Sequence, residues 1–123
     1  MLRRRIEALL PSGLVVDQAV VDEGGIEVRA RSADAAAACP LCGGTSRRLH
    51  SRYHRRLADL PAHGREVRLL VLVRRFRCGS RHCRQKVFSE RLRPGLARAY
   101  GRRTARMQGL IRHLALALGG RPA

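Results

Sequence analysis

A small α+β domain is what this sequence predicts, and three observations predict it. β-Branched runs at 14–21 and 26–31 flank a turn signal, and 66–78 sets apolar residues on two faces at strand spacing. Two end stretches, Leu2–Leu10 and 104–118, carry apolar residues at helical spacing. Between them stand the chain's four cysteines in two close pairs, Cys39-Pro40-Leu41-Cys42 and Cys78-Gly79-Ser80-Arg81-His82-Cys83, with 35 residues separating the pairs. A length of 123 residues fits one domain. With two Phe, two Tyr and no Trp, the core falls to Leu, Val, Ile and Ala, and so small a core needs a staple.

The cysteines supply one. A Cys-x2-Cys turn aims two sulfurs at one ion while the turn amides stabilise the thiolates, and Gly43 gives the backbone freedom the turn needs. The wider Cys78–Cys83 pair is within the spacing of structural sites. The reading is one structural Zn2+ held by Cys39, Cys42, Cys78 and Cys83, the staple of a zinc-ribbon-like sheet. A disulfide framework needs an oxidising compartment, and Arg3-Arg4-Arg5 followed by a short apolar run broken at Glu7 is no signal peptide. A redox Cys-x-x-Cys would leave Cys78 and Cys83 without a role. His82 stays open as a substitute for one cysteine ligand. His50, His54 and His63 read as strand or turn residues.

Taken in order, Leu2, Ile6, Leu9 and Leu10 share a helical face, and Pro11-Ser12-Gly13 ends that N-terminal helix. Asp22-Glu23-Gly24-Gly25 is a turn signal between two β-branched runs, which predicts a β-hairpin. Ala35–Ala38 links it to the first cysteine turn. The stretch 47–57 is dense in Arg and His and reads as a strand, straight or bent. Residues 59–64, Asp-Leu-Pro-Ala-His-Gly, read as a turn. The strongest strand is 66–78, with Val67, Leu69, Val71 and Val73 on one face and Leu70, Leu72 and Phe76 on the other, so its middle is expected to be covered on both sides. Val87 and Phe88 predict a short strand past the second cysteine turn. After Pro94-Gly95, Thr104 is an N-cap for a C-terminal helix bearing Met107, Leu110, Ile111, Leu114 and Leu118, and Gly119-Gly120 stops it. The expected division is 1–38 for the helix and hairpin, 39–91 for the zinc finger, and 92–123 for a linker and helix.

Charge narrows the partner. The net charge is +17, and it is unevenly placed: residues 1–38 hold five Arg and six acids, whereas 39–123 hold 21 basic residues and three acids, Asp59, Glu66 and Glu90. Coding bias explains a chain with Lys86 as its one lysine, but not the loss of acids after Asp34. A surface this basic concentrates on polyanions. Phosphate contacts are expected from Arg47, Arg48, Arg52, Arg55, Arg56, Arg74, Arg75, Arg77, Arg81 and Arg84, whose planar forks match phosphate oxygens. No run is long enough to span a membrane.

The string Cys39-Pro40-Leu41-Cys42-Gly43, His50-Ser51-Arg52-Tyr53, Asp59-Leu60-Pro61, Gly64-Arg65, Val73-Arg74-Arg75-Phe76-Arg77-Cys78, Cys83-Arg84 and Val87-Phe88-Ser89-Glu90-Arg91 resembles the N-terminal zinc finger of bacterial insertion-sequence transposases of the ISL-three family. The resemblance covers about 39–91, and Arg102–Ala123 is similar to the start of that family's helix-turn-helix region. It implies binding of double-stranded DNA at terminal inverted repeats by a truncated transposase, in the bacterial cytoplasm at the nucleoid. The family's nuclease domain with its acidic triad is not expected here, so no enzyme activity is expected. The C-terminal helix would be the first of an incomplete helix-turn-helix, with self-association through its apolar face. A zinc-dependent RNA-binding module and a protein-interaction module are the alternatives. The shortage of aromatics to stack single-stranded bases favours duplex DNA.

Overall fold

The computed structural model describes residues 13–93, 95–98 and 100–119. Alternation wins in the middle of the chain. Strand β6 (Arg65–Arg77) is the centre of a five-stranded mixed sheet, and β5 (Leu49–Ala62) pairs antiparallel along nearly its whole length. On its other edge, β6 pairs in parallel with β2 (Gly25–Ser32) and then antiparallel with β7 (Val87–Ser89). Strand β1 (Leu14–Asp22) closes that side against β2 through the two-residue turn Glu23-Gly24, so the expected hairpin forms. A separate two-stranded ladder joins β3 (Ala37–Ala38) to β4 (Thr45–Ser46). Gly25 is required where β2 starts, because a Cβ there would meet the Glu66 carbonyl oxygen at 2.4 Å.

The expected α+β class is corrected to a mostly β architecture: about half of the described residues are strand and 12% are helical. One helix, α1 (Ala105–Ala117), stands among the described residues, so the incomplete helix-turn-helix is not seen there. The N-terminal helix expected at Leu2–Leu10 lies outside the described residues. Much of the excess β comes from 49–62. The sequence there hides its period, because Arg and His occupy both faces. Pairing with β6 nevertheless draws all 14 residues into β5, and the turn expected over 59–64 shrinks to His63-Gly64. Both turn residues have positive φ, 52° and 71°, the geometry whose twist suits a two-residue hairpin. Pro61 is tolerated because β5 is an edge strand, and the ladder register shifts between Asp59 and Ala62.

Two cores lie on opposite faces of β6. Val67, Leu69, Val71 and Val73 bury one face with Val16, Val28 and Leu57 under Leu92, Leu96 and Ala97. Phe76, on the opposite face, packs with Phe88, Cys39 and Cys83. Full burial of side chains such as Leu57, Leu69 or Phe76 contributes roughly 1.5–3 kcal/mol each. Coverage of both faces was expected along the middle of β6. Instead, Leu70 and Leu72 stay half-buried on an otherwise open face.

Helix α1 is tied at its start. Thr104 caps it, accepting from the Met107 amide, and donates its hydroxyl to Asp59 Oδ1 at 2.7 Å. Asp59, only 2% exposed, also accepts from Arg106 Nε at 2.8 Å and Nη2 at 2.6 Å. Residues 102–104 lie along the outer edge of β5 at Ala58, whose amide donates to the Arg102 carbonyl and whose carbonyl accepts from the Thr104 amide. Burial alone would raise the Asp59 pKa, but the bonds from Arg106 and Thr104 outweigh it and hold the carboxyl below its usual range. Beyond this anchor no residue of α1 is buried, and Leu110, Leu114, Leu116 and Leu118 are exposed.

Asp59→Asn is therefore expected to cost about 1.5–3 kcal/mol, the range for hydrogen bonds to charged groups. Arg106 keeps part of its guanidinium in water, which keeps the cost below that of a fully buried pair. Hydrogen exchange should show 105–117 opening while β5 and β6 stay protected. In the wild type the anchor's contribution should be complete above the ordinary carboxylate pKa and be lost progressively as pH falls from there through the depressed value. Equal protection of α1 in the variant would contradict this account.

Candidate metal centre and nucleic-acid interface

Each cysteine pair is mounted on a short hairpin. The first turn springs from the β3–β4 ladder: the Cys39 amide donates to the Gly44 carbonyl at 2.9 Å, and the Gly43 amide to the Cys39 carbonyl at 2.8 Å. Gly43 takes φ 77°, which reverses the chain and lets the Gly44 amide approach Cys42 Sγ at 3.4 Å. The second turn closes between β6 and β7, where the Cys78 amide donates to the Lys86 carbonyl at 2.9 Å. The two hairpins are stitched together by Ser46, whose hydroxyl donates to the Arg77 carbonyl at 2.6 Å and accepts from the Arg48 amide. Phe76 and Phe88, with centroids 6.0 Å apart, belong to the same buried cluster as Cys39 and Cys83.

All four sulfurs lie within 4.8 Å of one another. A tetrahedron with Zn–S bonds of about 2.3 Å has S···S edges of about 3.8 Å. The observed separations are 3.9 Å for Cys39–Cys83 and 3.6 Å for Cys42–Cys78, so the sulfurs fit the ion. Protonation reinforces the reading. The Cys42 amide, working against burial, brings Cys39 down to about 7. The Gln85 amide favours the Cys83 thiolate too, but burial and the neighbouring sulfurs outweigh it and push that thiol up to about 11. Metal must therefore displace protons on binding, as thiolate ligation requires. His82 is exposed beside the buried Cys83, and the group that converges consists of the four cysteines.

A family model described as the zinc-finger of transposase IS204/IS1001/IS1096/IS1165 matches residues 35–83. Residues 35–83 are thus similar to the zinc finger of the ISL-three transposase family. The match runs from the approach to β3 through both cysteine turns, and the β1–β2 hairpin and α1 lie outside it. No curated protein and no solved structure matches the chain significantly. The finger holds one structural zinc.

Around this zinc finger the ten arginines expected at phosphates part company. Arg47, Arg48, Arg77, Arg81 and Arg84 are exposed on the zinc lobe, and Arg52 and Arg56 are exposed on β5. Arg75 is exposed but lies over the Tyr53 ring, its Cζ 4.4 Å from the centroid. Two others have structural partners. Arg74 donates from Nε to Glu90 Oε2 at 2.8 Å and from Nη2 to Oε1 at 3.0 Å, and it also bonds the Asp34 carbonyl. Arg55 Nη2 donates to the carbonyls of Arg98, at 2.7 Å, and Gly101, at 2.8 Å.

Register reveals basic residues that sequence reasoning missed. On the open face, Arg56, Leu70 and Arg29 stand in one row across β5, β6 and β2, and His54, Leu72 and Arg31 in the next. The other face carries a cleft of about 1210 Å³ between β5, β7 and the 91–102 segment. Arg91, Arg93, Arg98 and Arg102 line it beside Arg55 and Arg75. Glu90 is the one carboxylate among its described lining residues, and Arg74 neutralises it. The signal was present in the sequence as an arginine every few residues after Glu90, in a stretch that reads as linker.

Structural zinc in small fingers contributes roughly 10–16 kcal/mol of apparent binding free energy, comparable to or above the whole stability of a domain. Chelation, or Cys42→Ser, should therefore unfold the lobe built on Phe76 and Phe88. One zinc per chain by metal analysis and loss of β circular dichroism on chelation are the expected outcomes. A spectrum unchanged after complete metal removal would overturn them.

Proposed function

We propose that this transposase zinc finger binds double-stranded DNA, engaging the terminal inverted repeats of an insertion sequence. What carries the reading is where the acids go. Of the three carboxylates after Asp34, Asp59 is taken by Arg106 and Glu90 by Arg74, both inside the fold. Glu66 alone is left to oppose the remaining basic residues of that stretch, and most of those described are exposed. Such a surface gains affinity by releasing counterions from a polyanion. The row Arg56–Leu70–Arg29, with His54 next to it, offers a sheet face for phosphates on which Arg31 is already paired with Asp17 at 3.0 Å, and the zinc lobe adds Arg47, Arg48, Arg77, Arg81 and Arg84 beside it.

The DNA-cutting step is assigned elsewhere. Asp59 and Glu90 already hold arginines, so neither is available to gather the metal ions of a nuclease. The chain acts as a binding module in the bacterial cytoplasm, at the nucleoid. Among the described residues no helix is long and apolar enough to cross a membrane. Self-association is a second reading, favoured by the exposed Leu110 and Leu114 on α1 and Leu118 at its C-cap, at four-residue spacing. Leu114→Glu should then shift sedimentation from dimer to monomer without changing zinc content, and a wild type that stays monomeric at high concentration would remove this reading.

For DNA, the slope of log K against log salt should be about −0.9 per phosphate contact, with about four to eight contacts. Arg52→Ala with Arg56→Ala should flatten it by up to about two units while zinc content is unchanged. Arg74→Ala should behave differently, loosening the zinc lobe because the buried Glu90 keeps only the backbone amide of residue 74 and loses the guanidinium. A salt titration on a terminal-repeat duplex and a scrambled duplex separates these cases. A wild type that binds neither duplex at low salt would sink the assignment, and one that prefers duplex RNA would move it to the RNA-binding alternative.

A further inference from the structure

Tyr100 has an unusual placement. Its φ is 61°, a left-handed conformation that Gly, Asn or Asp adopts more readily than a bulky aromatic residue, and it is 94% exposed. The turn that holds it is fixed from two sides. The Gly101 amide donates to the Arg98 carbonyl at 3.0 Å, and Arg55 reaches from β5 to clamp the Arg98 and Gly101 carbonyls together. The ring is thus displayed from a braced turn at the cleft that Arg91, Arg98 and Arg102 line. Both tyrosines of the chain line this cleft, and Tyr53 already carries the Arg75 guanidinium on its ring. Tyr100 buries almost no surface.

We propose that Tyr100 stacks on a base displaced from the duplex, while the cleft arginines hold the phosphates on either side of that base. The inference rests on the DNA-binding reading above and adds the feature of DNA that this face selects. An exposed aromatic ring amid arginines is the combination that holds unstacked bases, because every base offers a π face and every linkage a phosphate. In an intact duplex the base faces are already stacked, so the ring engages only where a base leaves the helix. Extrusion is cheapest where the base has no partner. The cleft therefore favours DNA with an unpaired nucleotide, whereas the open sheet face treats paired DNA of any sequence alike.

The test uses the zinc-loaded full chain and two duplexes of one sequence, fully paired or carrying one bulged 2-aminopurine. The wild type should bind the bulged duplex about tenfold more tightly and quench its fluorescence on binding. Tyr100→Phe should keep both effects. Tyr100→Ala should abolish the preference and the quenching while its affinity for the paired duplex and its zinc content stay unchanged. Equal wild-type affinity for the two duplexes, or an undiminished preference in Tyr100→Ala, overturns the inference and leaves general DNA binding standing. Binding to neither duplex at low salt overturns both.

Discussion

Strand β6 must satisfy two cores with opposite faces of one pleated ribbon, and that constraint orders the rest of the molecule. Its odd-numbered residues from Val67 to Val73 bury against the long segment that runs back over the sheet. Three residues later Phe76 turns the other way and sits with the cysteine cluster. Because successive side chains alternate, a one-residue slip would exchange the two sets and bury arginines in both cores. The pairing with β5 fixes the register along the strand, and β2 and β7 divide the opposite edge between them. The metal thus pins a register as well as a fold.

The four cysteines were legible in the sequence because metal geometry demands local spacing, and spacing is what a sequence shows. The hairpin at Asp22–Gly25 was legible for a similar reason, since turn chemistry is written in adjacent residues. The interior of β6 was readable from its alternation, although its second face proved only half covered. Strand β5 was harder. Its inward residues include Tyr53, Arg55 and Asp59, which look like surface residues until their partners are known. Arg74 was likewise assigned to phosphate, because its partner Glu90 stands 16 residues away beyond the second cysteine turn. Long-range partners of polar groups leave no periodic trace, and that separates what was read from what was missed.

The two ion pairs with buried carboxylates do related work at different ends of the sheet. Arg74–Glu90 ties the end of β6 to the segment leaving β7, and Asp59–Arg106 ties the start of α1 to the edge of β5. Neither need raise net stability much, since desolvating two charges offsets most of their attraction. Their effect is to set where the 90–104 segment leaves and rejoins the sheet, and hence where the arginine-lined cleft opens. They also remove two negative charges from a surface that has few, so the fold sharpens its electrostatic sign by placing acids where they hold it together.

The parallel seam between β2 and β6 has a consequence for how the polypeptide can be divided. It joins six residue pairs, from Ile26↔Val67 to Arg31↔Leu72, across a loop of chain that contains the first cysteine turn and the whole of β5. A fragment starting at Cys39 would keep every zinc ligand and yet strip one edge of the central strand along those residues. Unpaired amides and carbonyls beside Val67, Leu69 and Val71 form an adhesive edge, open to a strand from any neighbouring molecule. The β1–β2 hairpin is therefore an edge guard for the zinc finger, and the smallest piece that stays in solution by itself should begin upstream of Leu14.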